Sequence, residues 1–326
     1  MIITKTPFRM SYVGGGSDIS SFYREHGGAV ISAAINHYVY VLVKERFEQG
    51  VRVSYSKTEN VNSRKKIKHP LVKHALSMLD INQSIEIVSS ADIPSSGTGL
   101  GSSSSFSVGL IQALSSFAKK PLTPKEYAEL ACKLEIDLCQ SPIGKQDQYA
   151  AAFGGLRVYK FNSDDSVTIN QVSCNEKTLK ELNKQTLSFY IGGDRSANDI
   201  LREQTLALKS KVKVLATKKM VNLVWNLRDE LESQSLLNFG PILHENWIIK
   251  REMVSGLSNI FINDLYDQAI DCGATGGKLL GAGGGGFMIF HAPSEQVKSK
   301  IRAKFYKLRE VFFEIESKGS TIIYQK

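Results

Sequence analysis

The sequence has no apolar run long enough to cross a membrane. Its longest unbroken apolar run is six residues, Tyr38 to Val43, whereas a transmembrane helix needs about 20. The N-terminal stretch MIITKTPFRM has no apolar core of the length found in signal peptides. We therefore expect a cytoplasmic protein without a membrane partner.

Cysteine is also scarce, and its spacing suits neither disulfides nor a metal. The four cysteines are Cys132, Cys139, Cys174 and Cys272. They contain no C-x-x-C pair, so the pattern excludes a disulfide framework and a cysteine-based zinc module. We predict free thiols that behave as small buried hydrophobic side chains.

Acidic residues are outnumbered by basic ones, 32 to 41, which gives a formal net charge of +9. A basic excess can indicate nucleic-acid binding, but the basic residues are scattered, apart from modest clusters at 64–68 and 209–219. No zinc-ligand spacing and no aromatic RNA-binding run accompanies them. A basic balance equally suits an enzyme that handles polyphosphates and sugar phosphates, so we predict no nucleic-acid partner.

Neither an internal repeat nor a Pro/Ser-rich linker divides the chain. Segments rich in β-branched and aromatic residues predict strands at 28–43 and 51–55, and an alternating pattern predicts one at 84–90. Strand character returns at 154–161 and 166–172. Helical spacing is found at 104–117. A second helix is predicted after Thr123, which is its N-cap and part of a capping box. Helical spacing returns from about residue 196 onward, with an interruption near 238–241. Strands early and helices later predict an α+β fold in two lobes, residues 1–175 and residues 176–326.

The stretch PSSGTGLGSSSSF, residues 94–106, places three glycines and six serines between a predicted strand and a predicted helix. Glycines permit positive φ, so successive N–H groups can converge, and the following helix adds free N–H groups and the positive end of its dipole. The loop lacks the lysine of a Walker A motif and is not G-x-G-x-x-G. Taken alone, it fits a phosphate-binding loop or a flexible surface loop, and the helix directly behind it favours the first.

Two further glycine clusters accompany this loop. They are TPFRMSYVGGGSD at 6–18 and KLLGAGGGGFMIF at 278–290. One such cluster can be a tight turn, whereas three in order indicate backbone packed closely around one ligand.

With these three motifs, the sequence resembles the GHMP kinase superfamily, the group of galactokinase, homoserine kinase, mevalonate kinase and phosphomevalonate kinase. The first cluster is similar to the family's motif of proline, basic residue and glycine turn. PSSGTGLGSSS is similar, at one residue's offset, to the phosphate loop P-x-x-x-G-L-G-S-S, and KLLGAGGGGF to the C-terminal glycine motif. The resemblance implies a two-lobed fold with an N-terminal mixed α/β nucleotide-binding domain, a C-terminal α+β domain and an active site between them. It also implies ATP and Mg²⁺ as cofactors.

The resemblance assigns residues to the nucleotide and the metal. The nucleotide-binding residues are Gly97, Gly99, Leu100, Gly101, Ser102, Ser103 and Ser104. Ser103 matches the family's magnesium-ligating serine, and Glu135 lies about as far before Asp147 as the family's magnesium glutamate, with one residue more. Oxygen ligands of this kind suit Mg²⁺. By spacing alone, Glu135 at the edge of a helical apolar stripe could equally be a solvated flank residue, and Asp137 on the other edge is its rival.

Two residues are assigned to catalysis. Asp147 follows SPIGKQ and is predicted to lie in a turn, away from any helical stripe. The resemblance makes it the catalytic aspartate, as general base or as orienter of the acceptor hydroxyl, and a turn-stabilising aspartate is the alternative. Arg9 takes the basic position of the first motif, where it would stabilise charge on the transferred phosphoryl group or acidify the acceptor hydroxyl. A salt-bridged arginine on a strand surface is the alternative.

The acceptor site is the third assignment. Asp18 follows the glycine turn where sugar-kinase relatives carry a hydroxyl-binding aspartate. The predicted substrate-binding residues are Gly15, Gly16, Ser17, Asp18, Arg195, Gly284 and Gly285. Arg195 precedes Ser196, a candidate helix N-cap, and is a candidate phosphate ligand, with a solvated arginine as the alternative. His244, Trp247 and Arg251 share a helical face, with Lys250 beside it, and this face is a further candidate wall of the sugar pocket. For His244, a satisfied core or surface histidine is the favoured alternative.

The first motif reads VGGGSD instead of the Gly-Glu-His pattern of galactokinase or mevalonate kinase, which argues against those substrates. The combination of TPFRMSYVGGGSD, GKQDQYAAAFGG and KLLGAGGGGF looks closest to D-glycero-D-manno-heptose 7-phosphate kinases and their fucose-kinase-like neighbours. The resemblance implies phosphorylation of the anomeric hydroxyl of that sugar phosphate, for nucleotide-activated heptose and surface polysaccharide synthesis. Its partners would be ATP and a small sugar phosphate, and a homodimer is left open. The alternatives are a kinase for a free sugar such as L-fucose and a non-catalytic sensor of ATP and sugar.

Overall fold

The computed structural model describes residues 1–94, 97–193, 210–253 and 257–326, and the structural statements below concern these residues. They form an α+β fold around two β-sheets, as predicted. The strands of this part are β1 (Ile2–Val13), β2 (Gly28–Glu45), β3 (Val51–Ser54), β4 (Thr58–Val61), β5 (Ile85–Ala91), β6 (Leu156–Phe161), β7 (Val167–Gln171), β8 (Thr186–Gly192), β9 (Gly276–Leu279), β10 (Gly286–His291), β11 (Arg309–Glu310) and β12 (Thr321–Gln325). The α-helices are α1 (Ser20–His26), α2 (Pro70–Met78), α3 (Ser102–Phe117), α4 (Pro124–Cys132), α5 (Gln146–Phe153), α6 (Glu176–Gln185), α7 (Lys211–Glu232), α8 (Phe239–Met253), α9 (Ile260–Asp271) and α10 (Glu295–Lys304).

The larger sheet is organised around the 18-residue strand β2. This strand pairs antiparallel with β1 along most of its length, with β6 through its first half and with β5 through its second half. The order is β12-β1-β2-β5-β3-β4, with β6 joined to β2 and β7 to β6. β1 therefore lies inside the sheet, and its C-terminal end leads directly into the first glycine cluster.

Helix α3 packs on this sheet at very close range. A Cβ atom on Gly109 would lie 2.5 Å from Thr6 Oγ1, and Thr4 Oγ1 donates a hydrogen bond to Gly109 O at 3.1 Å. At the start of the helix, Arg9 N donates to Leu100 O at 3.0 Å. These contacts fix the N-terminus of α3, and with it the Gly/Ser loop, against β1.

The smaller sheet is antiparallel and has the order β11-β8-β10-β9. Helices α8, α9 and α10 bury their apolar faces together with this sheet in a second core, which includes Trp247, Tyr266 and Ile301. The larger core takes residues from both halves of the chain, such as Leu227 of α7 and Phe287 of β10. The two sheets are therefore linked by shared packing.

The last strand returns to the first sheet, because β12 pairs antiparallel with β1. Residues 321–325 thus complete a sheet that otherwise comes from the N-terminal half. The division of the chain into two lobes at residue 175 stays a prediction. β12 follows residue 175 in the sequence but belongs to the sheet of the first lobe.

The local predictions agree well with the structure. The predicted strands correspond to β2, β3, β5, β6 and β7, and the capping box of Thr123 and Glu126 starts α4. The helical stretch predicted from about residue 196 is present as α7, α8 and α9, while 194–209 lie outside the described residues. None of the helices in the described ranges has the length and apolar content needed to span a membrane.

Candidate active site

A cleft of about 320 Å³ lies where the three glycine clusters meet. A Cβ atom on Gly99 would lie 2.4 Å from Leu280 O, and one on Gly286 would lie 2.5 Å from Thr98 O. Both glycines have positive φ, and no Cβ atom tolerates such distances to backbone, so glycine is required at these positions. The clusters are therefore glycine-rich because their backbones pack against one another around the cleft.

The Gly/Ser loop presents its backbone to this cleft. Gly97, Gly99 and Gly101 have φ values of 72°, 74° and 76°, and Gly101 is the left-handed N-cap of α3. Left-handed residues and a helix N-terminus turn N–H groups toward a common point, the arrangement that binds phosphate. All the predicted nucleotide-binding residues line the cleft: Gly97, Gly99, Leu100, Gly101, Ser102, Ser103 and Ser104.

Arg9 and Asp147 form a bidentate ion pair in the cleft. Arg9 Nε donates to Asp147 Oδ1 and Arg9 Nη2 donates to Asp147 Oδ2, each at 2.6 Å. Arg9 Nη1 donates to Gly99 O at 2.6 Å, which links the pair to the Gly/Ser loop. Arg9 is 4% exposed, so it is a buried arginine of the site and not one on a strand surface. The fork geometry fixes the orientation of both side chains.

The local structure predicted for Asp147 is wrong. Asp147 lies in the first turn of α5, not in a turn outside a helix. A carboxylate is favoured there because the N-terminal end of a helix carries partial positive charge. The helix holds the backbone of Asp147 while Arg9 holds its carboxylate.

Glu135 lies in a π-helical stretch, residues 133–138, and is 1% exposed. Ser103 Oγ donates to Glu135 Oε1 at 2.5 Å, and Gln148 Nε2 donates to Glu135 Oε2 at 2.7 Å. Burial raises the pKa of the Glu135 carboxyl, and these hydrogen bonds act in the opposite direction. The rival Asp137 is exposed and lines a neighbouring cavity. Glu135 is therefore the carboxylate that reaches the predicted metal partner Ser103.

Asp18 closes the first glycine turn. Its Oδ1 accepts from Gly16 N at 3.0 Å, and its Oδ2 accepts from Gln146 N at 3.2 Å. A Cβ atom on Gly144 would lie 1.9 Å from Asp18 Oδ2, so the loop before α5 needs glycine there. Burial raises the pKa of Asp18, and the nearby charge of Asp147 raises it further. The Asp18 carboxylate is thus buried in the cleft and bonded to the backbone of the glycine turn.

The other predicted substrate residues are placed less uniformly. Those that line the cleft are Gly15, Gly16, Asp18 and Gly285. Ser17 Oγ instead donates to Ala29 O at 2.9 Å and accepts from Ala29 N at 3.1 Å, which fastens the glycine turn to β2. Gly284 N donates to Leu257 O at 3.0 Å. Arg195 and its candidate phosphate site lie outside the described residues.

The helix face predicted as a wall of the sugar pocket is directed elsewhere. His244 Nδ1 hydrogen-bonds Tyr266 Oη at 2.7 Å, and Arg251 Nη1 donates to Asn263 Oδ1 at 3.3 Å. Trp247 is fully buried in the second core. These three side chains pack toward α9 and do not line the cleft, so the hypothesis of a pocket wall is wrong. The favoured alternative, a satisfied histidine, is confirmed for His244.

Two buried lysines reach the cleft instead. Lys250 Nζ donates to Gly281 O at 3.0 Å, and Lys278 Nζ donates to Ser11 O and Tyr12 O at 2.7 Å each. They are 5% and 2% exposed. Sequence reasoning noted Lys250 only as a neighbour of the wrong face and did not consider Lys278.

A signal for Lys250 was present in the sequence. Asn246 lies four residues earlier, on the same helix face, and its Oδ1 accepts from Gly14 N at 3.2 Å. Asn246 and Lys250 share this face with the buried apolar residues Leu243 and Met253, and this pattern indicates a polar strip on a buried face. This strip joins α8 to the first glycine cluster.

Comparison with protein families agrees with this geometry. The family model described as GHMP kinases N terminal domain matches residues 67–155, which contain the Gly/Ser loop, Glu135 and Asp147. The model described as GHMP kinases C terminal matches residues 227–307, which contain the third glycine cluster.

Curated relatives and solved structures extend the match to the whole chain. The D-glycero-alpha-D-manno-heptose 7-phosphate kinase of Campylobacter jejuni subsp. jejuni is 30% identical over 93% of this chain and 92% of its own length. The L-fucokinase/L-fucose-1-P guanylyltransferase of Bacteroides fragilis is 25% identical over 91% of this chain, which spans 35% of that longer protein. A D-glycero-D-manno-heptose 1-phosphate kinase from Bacteroides thetaiotaomicron superposes with a TM-score of 0.82 over 100% of both chains at 23% identity, which shows a common fold. The chain therefore belongs to the GHMP kinase family and is an ATP-dependent kinase.

Proposed function

We propose that this kinase transfers the γ-phosphoryl group of ATP to the anomeric hydroxyl of D-glycero-D-manno-heptose 7-phosphate, giving the 1,7-bisphosphate. The observation that carries the proposal is the nearly full-length similarity to a heptose 7-phosphate kinase, at 30% identity. The cleft supports it, because a phosphate loop, the Arg9–Asp147 pair and the Asp18 carboxylate share one space. The product would serve synthesis of nucleotide-activated heptose and surface polysaccharide.

The Gly/Ser loop would receive the phosphates of ATP. Its three left-handed glycines and the start of α3 supply backbone N–H donors and the positive end of a helix dipole. The loop contains no lysine, so the charge on the phosphates must be neutralised by other groups of the cleft.

A magnesium ion fits the oxygen atoms of Ser103 and Glu135. Glu135 is buried and forms no ion pair within the described ranges, and a buried carboxylate without a cation is costly. Within these ranges, no group of three or more His, Cys, Asp or Glu side chains could hold a metal ion by itself. That agrees with Mg²⁺, which takes one or two protein ligands and completes its shell with water and phosphate oxygens. When bound, the ion would neutralise charge on the phosphates of ATP.

Asp147 would hold the acceptor hydroxyl for attack. Each carboxylate oxygen accepts one N–H from Arg9 and keeps a lone pair that can accept the acceptor's O–H. Asp147 can then take the proton as the new O–P bond forms, or orient the hydroxyl while the proton leaves later. In both cases its contribution is the fixed position of the acceptor oxygen.

Arg9 would stabilise the charge of the transferred group. Three of its five N–H groups bond to Asp147 and Gly99, one from each nitrogen. Each Nη therefore keeps one N–H without a partner in the described part of the chain. These two donors can bond the oxygens of the phosphoryl group in transfer.

Asp18 would bind hydroxyls of the sugar. Each of its oxygens accepts one backbone N–H, and the remaining lone pairs are acceptors for O–H groups. A buried carboxylate that needs further hydrogen bonds favours a polyhydroxylated acceptor over an apolar one.

The second candidate function is phosphorylation of a free sugar such as L-fucose, which the similarity to a fucokinase favours. A sensor that binds ATP and sugar without turnover is less well supported. A sensor does not need the side chains that perform phosphoryl transfer. In this chain, those side chains all line one cleft: Arg9, Ser103, Glu135 and Asp147.

An acceptor panel tests the proposal. ADP formation is measured with heptose 7-phosphate, mannose 6-phosphate, L-fucose, galactose and mevalonate, and the product is identified by ³¹P NMR. We expect turnover with the heptose phosphate and a new phosphate on the anomeric carbon. Turnover with L-fucose alone would refute the heptose assignment, and ATP binding without turnover on any acceptor would favour the sensor.

The metal assignment has its own control pair. Glu135→Gln should raise the Mg²⁺ concentration for half-maximal activity by about 10-fold or more. Asp137→Asn, in the exposed rival, should leave it at the wild-type value. Equal responses of the two variants would mean that Glu135 is not the metal ligand.

A further inference from the structure

Lys250 is a buried ammonium group with most of its hydrogen-bonding capacity unused. It is 5% exposed, lies on α8 and lines the cleft. An ammonium carries three N–H donors. One of them bonds to Gly281 O at 3.0 Å, and the other two have no partner within the described ranges.

The other two cations of the cleft use more of their donors within the protein than Lys250 does. Arg9 is paired with Asp147, and Lys278 donates to Ser11 O and Tyr12 O. Lys250 has no carboxylate within ion-pair distance in the described part of the chain. A charge buried in this way is costly unless a ligand supplies the missing partner.

The position of Lys250 indicates which ligand this is. A Cβ atom on Gly15 would lie 3.9 Å from Lys250 Nζ, so the ammonium lies beside the first glycine turn. Asp18 follows the same turn. The charged groups that act on Lys250 are Asp18 and Asp147, which favour its protonated form, and Arg9 and Lys278, which disfavour it.

We propose that Lys250 is an acceptor-binding residue that donates hydrogen bonds to oxygens of the sugar phosphate while Asp18 accepts from neighbouring hydroxyls. Lys250 and Asp18 come from opposite halves of the chain. Lys250 would donate hydrogen bonds to the sugar phosphate, and Asp18 would accept hydrogen bonds from it. An anionic, polyhydroxylated acceptor meets both needs, because its oxygens replace the hydration that Lys250 lost on burial. The inference rests on the proposed kinase reaction but not on which sugar phosphate is the acceptor.

The burial of Lys250 gives this role a pH signature. Desolvation lowers the pKa of Lys250 from 10.5 to about 8 in the free protein. The protonated form binds the acceptor, so kcat/KM for the acceptor should fall as the pH rises above about 8. Saturation with the anionic acceptor holds the proton on Lys250, so kcat should fall only at higher pH.

Lys250→Met and Lys250→Arg test the proposal with the acceptor that the wild type uses in the panel. Lys250→Met should raise KM for the acceptor by about 10- to 100-fold, the range for a lost hydrogen bond to a charged group. KM for ATP should stay at the wild-type value. Lys250→Arg should recover part of the loss and move the basic limb of the pH profile beyond pH 10, because an arginine stays protonated. Lys218→Met, an exposed lysine on α7, is the matched control and should leave all values unchanged.

Three results would overturn the proposal. They are an unchanged acceptor KM in Lys250→Met, an equal rise of both KM values, and a basic limb that Lys250→Arg does not move. If Lys250→Met fails to fold, the pH profiles of the wild type and Lys250→Arg decide alone. Turnover of L-fucose in place of the heptose phosphate would refute the proposed function, and the same variants would then be compared with L-fucose.

Discussion

The two ends of the cleft are built from different parts of the polypeptide. At the proposed nucleotide end, the cleft wall is mainly backbone, with left-handed glycines and a helix N-terminus. At the proposed acceptor end, the wall includes the charged side chains of Asp18 and Lys250, which come from distant segments. The difference fits the ligands, because the phosphates of ATP are common to all these kinases whereas the acceptor changes from one to the next. We therefore expect the two ends to respond separately to substitution.

The largest effect is expected where the two ends meet, at Asp147. Asp147→Asn should lower kcat by roughly 10²- to 10⁴-fold, because an amide cannot take the acceptor's proton and fits the Arg9 fork less well. ATP affinity, measured by calorimetry, should stay near the wild-type value since the Gly/Ser loop is intact. Asp137→Asn is the matched control on the surface. A kcat close to that of the wild type would contradict the assigned role.

A smaller effect should be confined to the nucleotide end. In Gly99→Ala, the new methyl group would lie 2.4 Å from Leu280 O on a backbone with φ of +74°, so the loop must move. We expect ATP affinity to fall about 10-fold or more, the loss of roughly one or two hydrogen bonds to charged phosphates. Gly27→Ala is the control, because its φ is +68° but nothing lies within 4 Å of the added methyl. It should show the backbone strain in its thermal stability without a change in ATP affinity, and equal ATP affinities in the two variants would contradict the account.

The smallest effect concerns stability at the acceptor end. The native pKa of Lys250, about 8, lies below its value of 10.5 in the unfolded chain. Below pH 8 the native state bears the full cost of the buried charge, on the order of 3 kcal/mol. Between pH 8 and 10.5 the unfolded state binds the extra proton, so this cost decreases as the pH rises.

Lys250→Met should therefore melt a few degrees above the wild type at pH 7, since the lost hydrogen bond to Gly281 O offsets only about 1 kcal/mol. The difference should shrink toward pH 10. Thermal unfolding at both pH values measures it, with Lys218→Met as the control. A variant that melts below the wild type at pH 7 would mean that Lys250 is a structural residue.

Much of the fold could be predicted because its signals are local. The β-branched and aromatic residues of β2, the apolar stripe of α3 and the capping box of α4 each lie within the element that they define or directly beside it. The pairing of β12 with β1 could not be predicted, because it joins the two ends of the chain through backbone groups that carry no sequence signal.

The site divides in the same way. The glycines of the nucleotide end could be found because glycine adopts left-handed φ without the steric cost of a Cβ atom, so a cluster of glycines is a visible signal. The role of Lys250 could not be predicted, because it depends on which face of α8 packs against the first glycine turn, more than two hundred residues earlier in the chain. The turn predicted for Asp147 disagrees with the run of alanines after it, because alanine is the strongest helix former and favours α5 there.

The separation of the two ends is tested most directly by calorimetry of both ligands on both variants. A non-hydrolysable ATP analogue and the acceptor are titrated into the wild type, Gly99→Ala and Lys250→Met. The account predicts a crossed pattern, in which Gly99→Ala loses affinity for the nucleotide and Lys250→Met for the acceptor, each by about 10-fold or more. If each variant lost affinity for both ligands to the same degree, the cleft would act as a single unit and the account would be contradicted.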